Sequence, residues 1–169
     1  MLDPRLLYTL DEDVVAKLAD AHPVLIQQLD GFVDAGGAGR QLTSHVLEHL
    51  EHEVVATFDH DQLHDYRSRR PLMVFDTNQW KSYADLHLRL HRVVDEQGEV
   101  FLLLSGPEPD VQWERFAAAV MGLIEQLGVR LTISAHGIPM AVPHTRPLTL
   151  TAHATDADLV VGYRSWIDR

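Results

Sequence analysis

The chain has 169 residues, of which 46% are hydrophobic and 23% charged, a balance that suits one globular domain with a real core and excludes a mainly disordered chain. Its 25 acidic and 14 basic side chains leave a formal charge of -11, which repels a phosphate backbone and argues against nucleic acid as a partner. With no cysteine there is no disulfide framework, thiol nucleophile or thiolate zinc site; with no apolar run of bilayer length and no signal-peptide pattern at the start, a cytoplasmic protein without a membrane partner is expected.

In chain order, residues 11–20 predict a short helix with Val14, Val15 and Leu18 at helical spacing. Pro23 then precedes an apolar strand, Val24 to Leu29. A glycine-rich loop (Gly31, Gly36, Gly37, Gly39) follows, and then a helix to about Leu50. Val54 to Phe58 is a second buried strand, so these elements predict a βαβ unit with parallel pairing. Residues 59–83 turn polar, with a basic cluster at Arg67, Arg69 and Arg70 and a short strand at Leu72 to Phe75, and predict an exposed excursion.

Strict alternation from Leu86 to Val94 puts Leu86, Leu88 and Leu90 on one face and His87, Arg89 and His91 on the other. That is the pattern of a strand near a sheet edge with one solvated side. A turn at Glu96, Gln97 and Gly98 leads into a central strand, Val100 to Leu104. Asp110 is the expected N-cap of a helix ending at Leu127 before Gly128, with Trp113, Phe116, Val120, Leu123, Ile124 and Leu127 as its buried stripe. Val129 to Ser134 closes a second βαβ unit.

His45, Glu48 and His49 spell the inverted zinc-peptidase pattern. The helical wheel opposes that reading, because Gly39, Leu42, Val46 and Leu50 take the core side while His45, Glu48, His49 and His52 face water, and a catalytic zinc needs a cleft and a third ligand. No metal site is therefore expected. The glycine loop matches neither the dinucleotide fingerprint nor a phosphate loop, and Asp30 and Asp34 repel phosphate, so no cofactor is expected. Ser105, His136 and Asp30 include the residue types of a hydrolytic triad, but Ser105 lacks the G-x-S-x-G elbow, and no catalytic residue is assigned.

Polar residues follow the apolar strands directly, and parallel strands would gather them at one sheet edge, where α/β proteins bind ligands. The candidate crevice comprises Asp30, Asp34, Gly36, Gly37, Glu108, His136 and Arg146. A candidate protein-contact patch, Ile138, Met140 and Val142, lies in the proline-rich segment from His136 to Pro147.

The strings LDGFVDAGGAGR (29–40), ATFDHDQLHDYRSRRP (56–71), LLLSGPEPDVQWERF (102–116) and HGIPMAVPHTRP (136–147) resemble the bacterial, actinobacterial-type branch of the proteasome assembly chaperone family. The resemblance implies a three-layer α/β/α sandwich with a mostly parallel mixed sheet, like that of phosphorylases and related hydrolases. It also implies self-association and a protein partner among proteasome components. Relatives are longer, and ring-docking relatives carry a hydrophobic-Tyr-any tail where this chain ends Trp166, Ile167, Asp168, Arg169, so a domain cut short at its C-terminus is expected. The expected role is non-enzymatic assembly; the alternative is a small-molecule binder or a hydrolase- or phosphorylase-like enzyme using Asp30, Glu108, His136 and Arg146.

Overall fold

A computed structural model describes residues 2–31, 33–147 and 150–162. The C-terminal residues Trp166 to Arg169 lie outside the described residues. The chain divides into a large unit ending at Ile138 and a small one beginning at Pro139.

In the large unit, β1 (Tyr8–Leu10) leads to α1 (Glu12–Ala16), whose first turn is closed by Asp11 accepting from the amides of Asp13 and Val14 at 3.1 and 3.2 Å. Then come β2 (Val24–Asp30), α2 (Ala38–His49), β3 (Glu51–Phe58), a hairpin of β4 (Met73–Asp76) and β5 (Gln79–Tyr83), β6 (Arg89–Val94), β7 (Val100–Pro107), α3 (Trp113–Gln126) and β8 (Leu131–Ser134). Six strands form one mixed sheet in the order β1-β3-β6-β7-β2-β8. β2, β3, β7 and β8 run one way, and β1 and β6 run against them.

Strand alternation divides the core between two faces. On one face Leu25, Leu90, Leu102 and Leu104 pack with Val14 and Leu18 near α1 and with Phe116, Ala119, Leu123 and Leu127 of α3, the helix stripe recurring every three or four residues. On the other, Val46 of α2 with Leu47 and Leu50 covers Ile26, Val93, Phe101 and Leu103. The result is a helix/sheet/helix sandwich whose two layers differ greatly in apolar content.

Four expectations are corrected. β2 and β3 run in the same sense but are not paired, because β6 and β7 lie between them; likewise β2 separates β7 from β8. β6 is central rather than near an edge, and His91 on its supposedly solvated face is only 6% exposed because α2 and its apolar layer cover that side of the sheet. Asp110 does not cap α3: Gln112 precedes the helix in a left-handed conformation (φ 58°), and Asp110 is drawn instead to Arg69 and the amide of Asp65. Trp113 falls outside the helix's buried stripe and stands 45% exposed.

Arg115 is the reverse case, a charge inside the core. It is buried because its guanidinium donates to the carbonyl of Asp3 and to the side-chain oxygens of Gln62 and Gln112 at 2.8–3.0 Å, so no donor pair is left without an acceptor and the N-terminal segment is fastened to α3. The β6–β7 turn follows its sequence signal: Asp95 accepts from the amides of Gln97 and Glu99, and Gly98 takes a positive φ of 85°. Among the described residues no helix is long and apolar enough to cross a membrane.

The small unit holds one described 3-10 turn, Ala157–Val160, opened by Asp156 accepting from the amide of Asp158. Pro139, Pro143 and Pro147 keep its first part from forming a helix or strand.

Candidate functional site

The C-terminal ends of β2 and β7 meet in register, with Asp30 opposite Pro107 and the amide of Glu108 donating to the carbonyl of Asp30 at 2.9 Å. Next to them the segment after β8 is stitched down: Gln28 Nε2 donates to the carbonyl of Ala135 at 2.6 Å, and the amide of Ala35 donates to the carbonyl of Gly137 at 2.9 Å. The parallel pairing therefore brings Asp30, Asp34, Gly36, Gly37, Glu108 and His136 to one edge of the sheet. Arg146, Met140 and Val142 belong to the small unit, and Ile138 is the last residue of the large one. Ile138, Met140 and Val142 are all exposed.

Asp34 has a structural task. Its carboxylate accepts from the amides of Gly39 and Arg40, at 2.8 and 3.3 Å, in the first turn of α2, and these bonds, the one from Gly39 foremost, hold its pKa below the ordinary carboxylate value. An internal carboxylate thus fills the helix N-terminus that a phosphate would need. Gly36 and Gly37 at φ 71° and 67° form the turn that brings Asp34 there. Replacing Asp34 with Ala should speed hydrogen exchange of the Gly39 and Arg40 amides roughly fivefold, which NMR would detect; unchanged rates would deny the cap.

Burial raises the Asp30 carboxyl above its ordinary pKa, and neighbouring Asp34 adds to this, while Arg40 and Arg69 pull it down. Arg40 Nε stands 4.0 Å from Asp30 and 3.9 Å from Asp34. Arg69, which the sequence places only in a basic cluster, donates to the carbonyl of Glu108 and pairs with Asp110 at 2.8 Å. Asp110 also accepts from the amide of Asp65, and His64 sits beside it with Nε2 2.7 Å from the carbonyl of Arg69. The His60 ring stacks on His64 at 4.5 Å. Only the Asp and His content of residues 59–65 hints at this cluster.

Ser105 is buried within β7, and its cross-strand neighbours are Gln28 and Arg89, whereas Asp30 faces Pro107. His45, Glu48 and His49 are exposed on α2, with the two imidazoles stacked at 4.5 Å. Leu42, assigned by the wheel to the core, is 39% exposed because the apolar layer under α2 reaches only Val46, Leu47 and Leu50.

A second surface is absent from the sequence-derived candidates. The expected strand at Leu72 to Phe75 is one arm of a hairpin whose partner, β5, is paired through the two-residue turn Thr77-Asn78. Every residue of β4 and β5 is exposed, Trp80 to 64%, as is Leu72 just before β4 to 81%, with Phe75 and Trp80 rings 4.9 Å apart. The pair forms a sheet of its own.

The model of the PAC2 family matches residues 28–169. The chain belongs to the PAC2 family. The resemblance to proteasome assembly chaperones read from the four sequence strings therefore holds. Among solved structures, a Mycobacterium tuberculosis protein of unknown function is 44% identical, covering 95% of this chain and 55% of its own, with a TM-score of 0.87. A Corynebacterium glutamicum protein of unknown function is 43% identical over 92% of this chain and 58% of its own, with a TM-score of 0.83. A Mycobacterium tuberculosis proteasome-assembly chaperone homologue, 21% identical over 82% of this chain and 59% of its own, shares the fold with a TM-score of 0.73. This PAC2 chain thus spans little more than half the length of these relatives. No curated protein matches it.

Proposed function

We propose that this PAC2 protein is a non-enzymatic assembly factor that binds a protein partner, and that the partner is a proteasome component. The β4–β5 hairpin carries the reading. A two-stranded hairpin alone is marginal in water and normally needs a third strand or a packing face. Here Leu72, Met73, Val74, Phe75, Trp80 and Tyr83 all remain exposed, an aromatic-rich surface of the composition found at the centre of protein interfaces. Arg67 and Arg70, exposed just before it, lend the arm positive charge in an acidic chain, which suits an acidic partner surface. The name of the proteasome-assembly chaperone homologue supplies the partner class. Ile138, Met140 and Val142 are a further contact, self-association accompanies the role, and the protein works in the cytoplasm.

Light-scattering chromatography of the full chain with proteasome α-type subunits from the same organism tests the proposal. Co-elution in a defined stoichiometry is expected, together with its loss in the double variant Phe75→Ser, Trp80→Ser, in which the exposed positions leave the main sheet intact. Truncating central aromatic anchors should weaken binding by at least 30-fold, on the order of 2 kcal/mol. Separate elution of the wild type would sink the reading and return attention to Asp30, Glu108 and His136 as a small-molecule site.

A further inference from the structure

On the face of the sheet that carries α2, the side chains change character along the strands. Beneath the helix lie Ile26, Val93, Phe101 and Leu103. Beyond them one row crosses the sheet as Gln28, Ser105, Arg89 and Thr57, each directly paired with the next, and all four on the same face. Side chains opposed in this way have Cβ atoms roughly 5 Å apart. His91 stands on the same face two residues from Arg89, bounding the polar row on its apolar side.

Among the described residues, Arg89 is unlike the other arginines that are wholly or partly buried. Arg92 pairs with Glu53, Arg69 with Asp110, and Arg115 with three oxygen acceptors. Arg89 has no carboxylate within ion-pair distance and no hydrogen-bond acceptor among the described residues, although its Nε is buried and the chain carries 25 acidic side chains. His91 Nδ1 is likewise buried without a partner. Ser105 is 5% exposed, and Gln28 is held in place by Ala135. A half-buried cation with no counter-charge is costly in isolation, and the row around it consists of hydroxyl and imidazole groups rather than anions.

We propose that Arg89, with the Ser105 and Thr57 hydroxyls beside it and His91 next along the strand, binds a small oxyanion, a carboxylate or a phosphate, brought by a ligand from outside the chain. The guanidinium supplies the charge and a two-pronged set of donors that matches two oxygens of either group. The hydroxyls add donors from the two flanking strands, and a neutral His91 adds a polar contact without a second buried charge. This row lies two residues back from the strand ends that bear Asp30 and Pro107, apart from the hairpin, and does not depend on the assembly role.

Titrating the 169-residue chain with inorganic phosphate and separately with succinate, at constant ionic strength, while following the histidine imidazole signals by NMR, tests the assignment. Saturable one-to-one binding of one of the two is expected, with shifts at His91, and the responding anion identifies the source of the oxyanion. Arg89→Met should weaken it more than tenfold, and Ser105→Ala several-fold. Because Arg89→Met removes an uncompensated cation, its unfolding midpoint should not fall below that of the wild type. Saturation by neither anion, equal binding by Arg89→Met, or a midpoint several degrees lower in that variant, as a purely structural arginine would give, overturns the proposal.

Discussion

Acidification from pH 7 to pH 4 should remove roughly 3 kcal/mol of stability through His91 alone. Burial first, then the neighbouring His52 and Arg89, push its pKa from 6.5 down to about 4. The His52 ring meets His91 edge-on at 5.7 Å from β3, and the α2 layer over this face contributes Val46, Leu47 and Leu50 rather than a compensating acid. In the folded state the imidazole is therefore neutral down to about pH 4, whereas the unfolded chain takes up its proton near pH 6.5. Between those values the unfolded state binds more protons, so stability rises with pH through the window and is level on this account above it. Each pKa unit corresponds to about 1.36 kcal/mol, which sets the size of the effect. Denaturant midpoints at pH 7, 5.5 and 4 for the wild type and His91→Leu measure it. The difference between the two proteins should shrink or invert as the pH falls, and parallel pH profiles would rule out the burial argument.

Gly106→Ala should be more damaging than any other single methyl addition at the sheet edge, costing about 3 kcal/mol or more. Gly106 takes φ 135°, which side-chain-bearing residues rarely adopt, and an added Cβ would overlap the carbonyl of His87 and the Cα of Leu88. Both obstacles are backbone at the entrance to β6, so neither can swing aside. Gly36 provides the contrast: its φ is also positive, at 71°, but a Cβ there meets open space. Gly36→Ala should cost only the left-handed penalty of about 1–2 kcal/mol. Thermal or denaturant unfolding of the two variants separates steric overlap from backbone preference, and equal losses would show that the close approach of β6 and β7 is not what requires glycine at position 106.

Elements governed by local chemistry were legible in the sequence. Gln97-Gly98 marks the hairpin between β6 and β7, and Gly128, at φ 63°, ends α3 where expected. Strand order was not legible, because apolar content says that Val24 to Leu29 and Val54 to Phe58 are strands but carries no information that two later strands will separate them. β6 shows the same limit in another form. A polar residue covered by a helix and one covered by water give the same alternation, so the burial of His91 depends on where α2 crosses the sheet. Asp110 carries a sound capping signal that lost to tertiary partners, the Arg69 guanidinium and the amide of Asp65. The gathering of Asp30, Asp34, Glu108 and His136 followed from strand ends alone. Arg69, 39 residues from both Asp30 and Glu108, reaches that edge by a fold-level return that no local spacing encodes.

The unequal layers of the sandwich separate two demands usually made on the same residues. The layer built on α3 and α1 joins apolar side chains from nearly every strand, so an alteration there is felt throughout the domain. The α2 layer rests on a handful of apolar contacts and gives way to a polar row within two residues along β2 and β7. One side of the sheet thus works as a chassis, while substitutions on the other disturb far fewer apolar contacts.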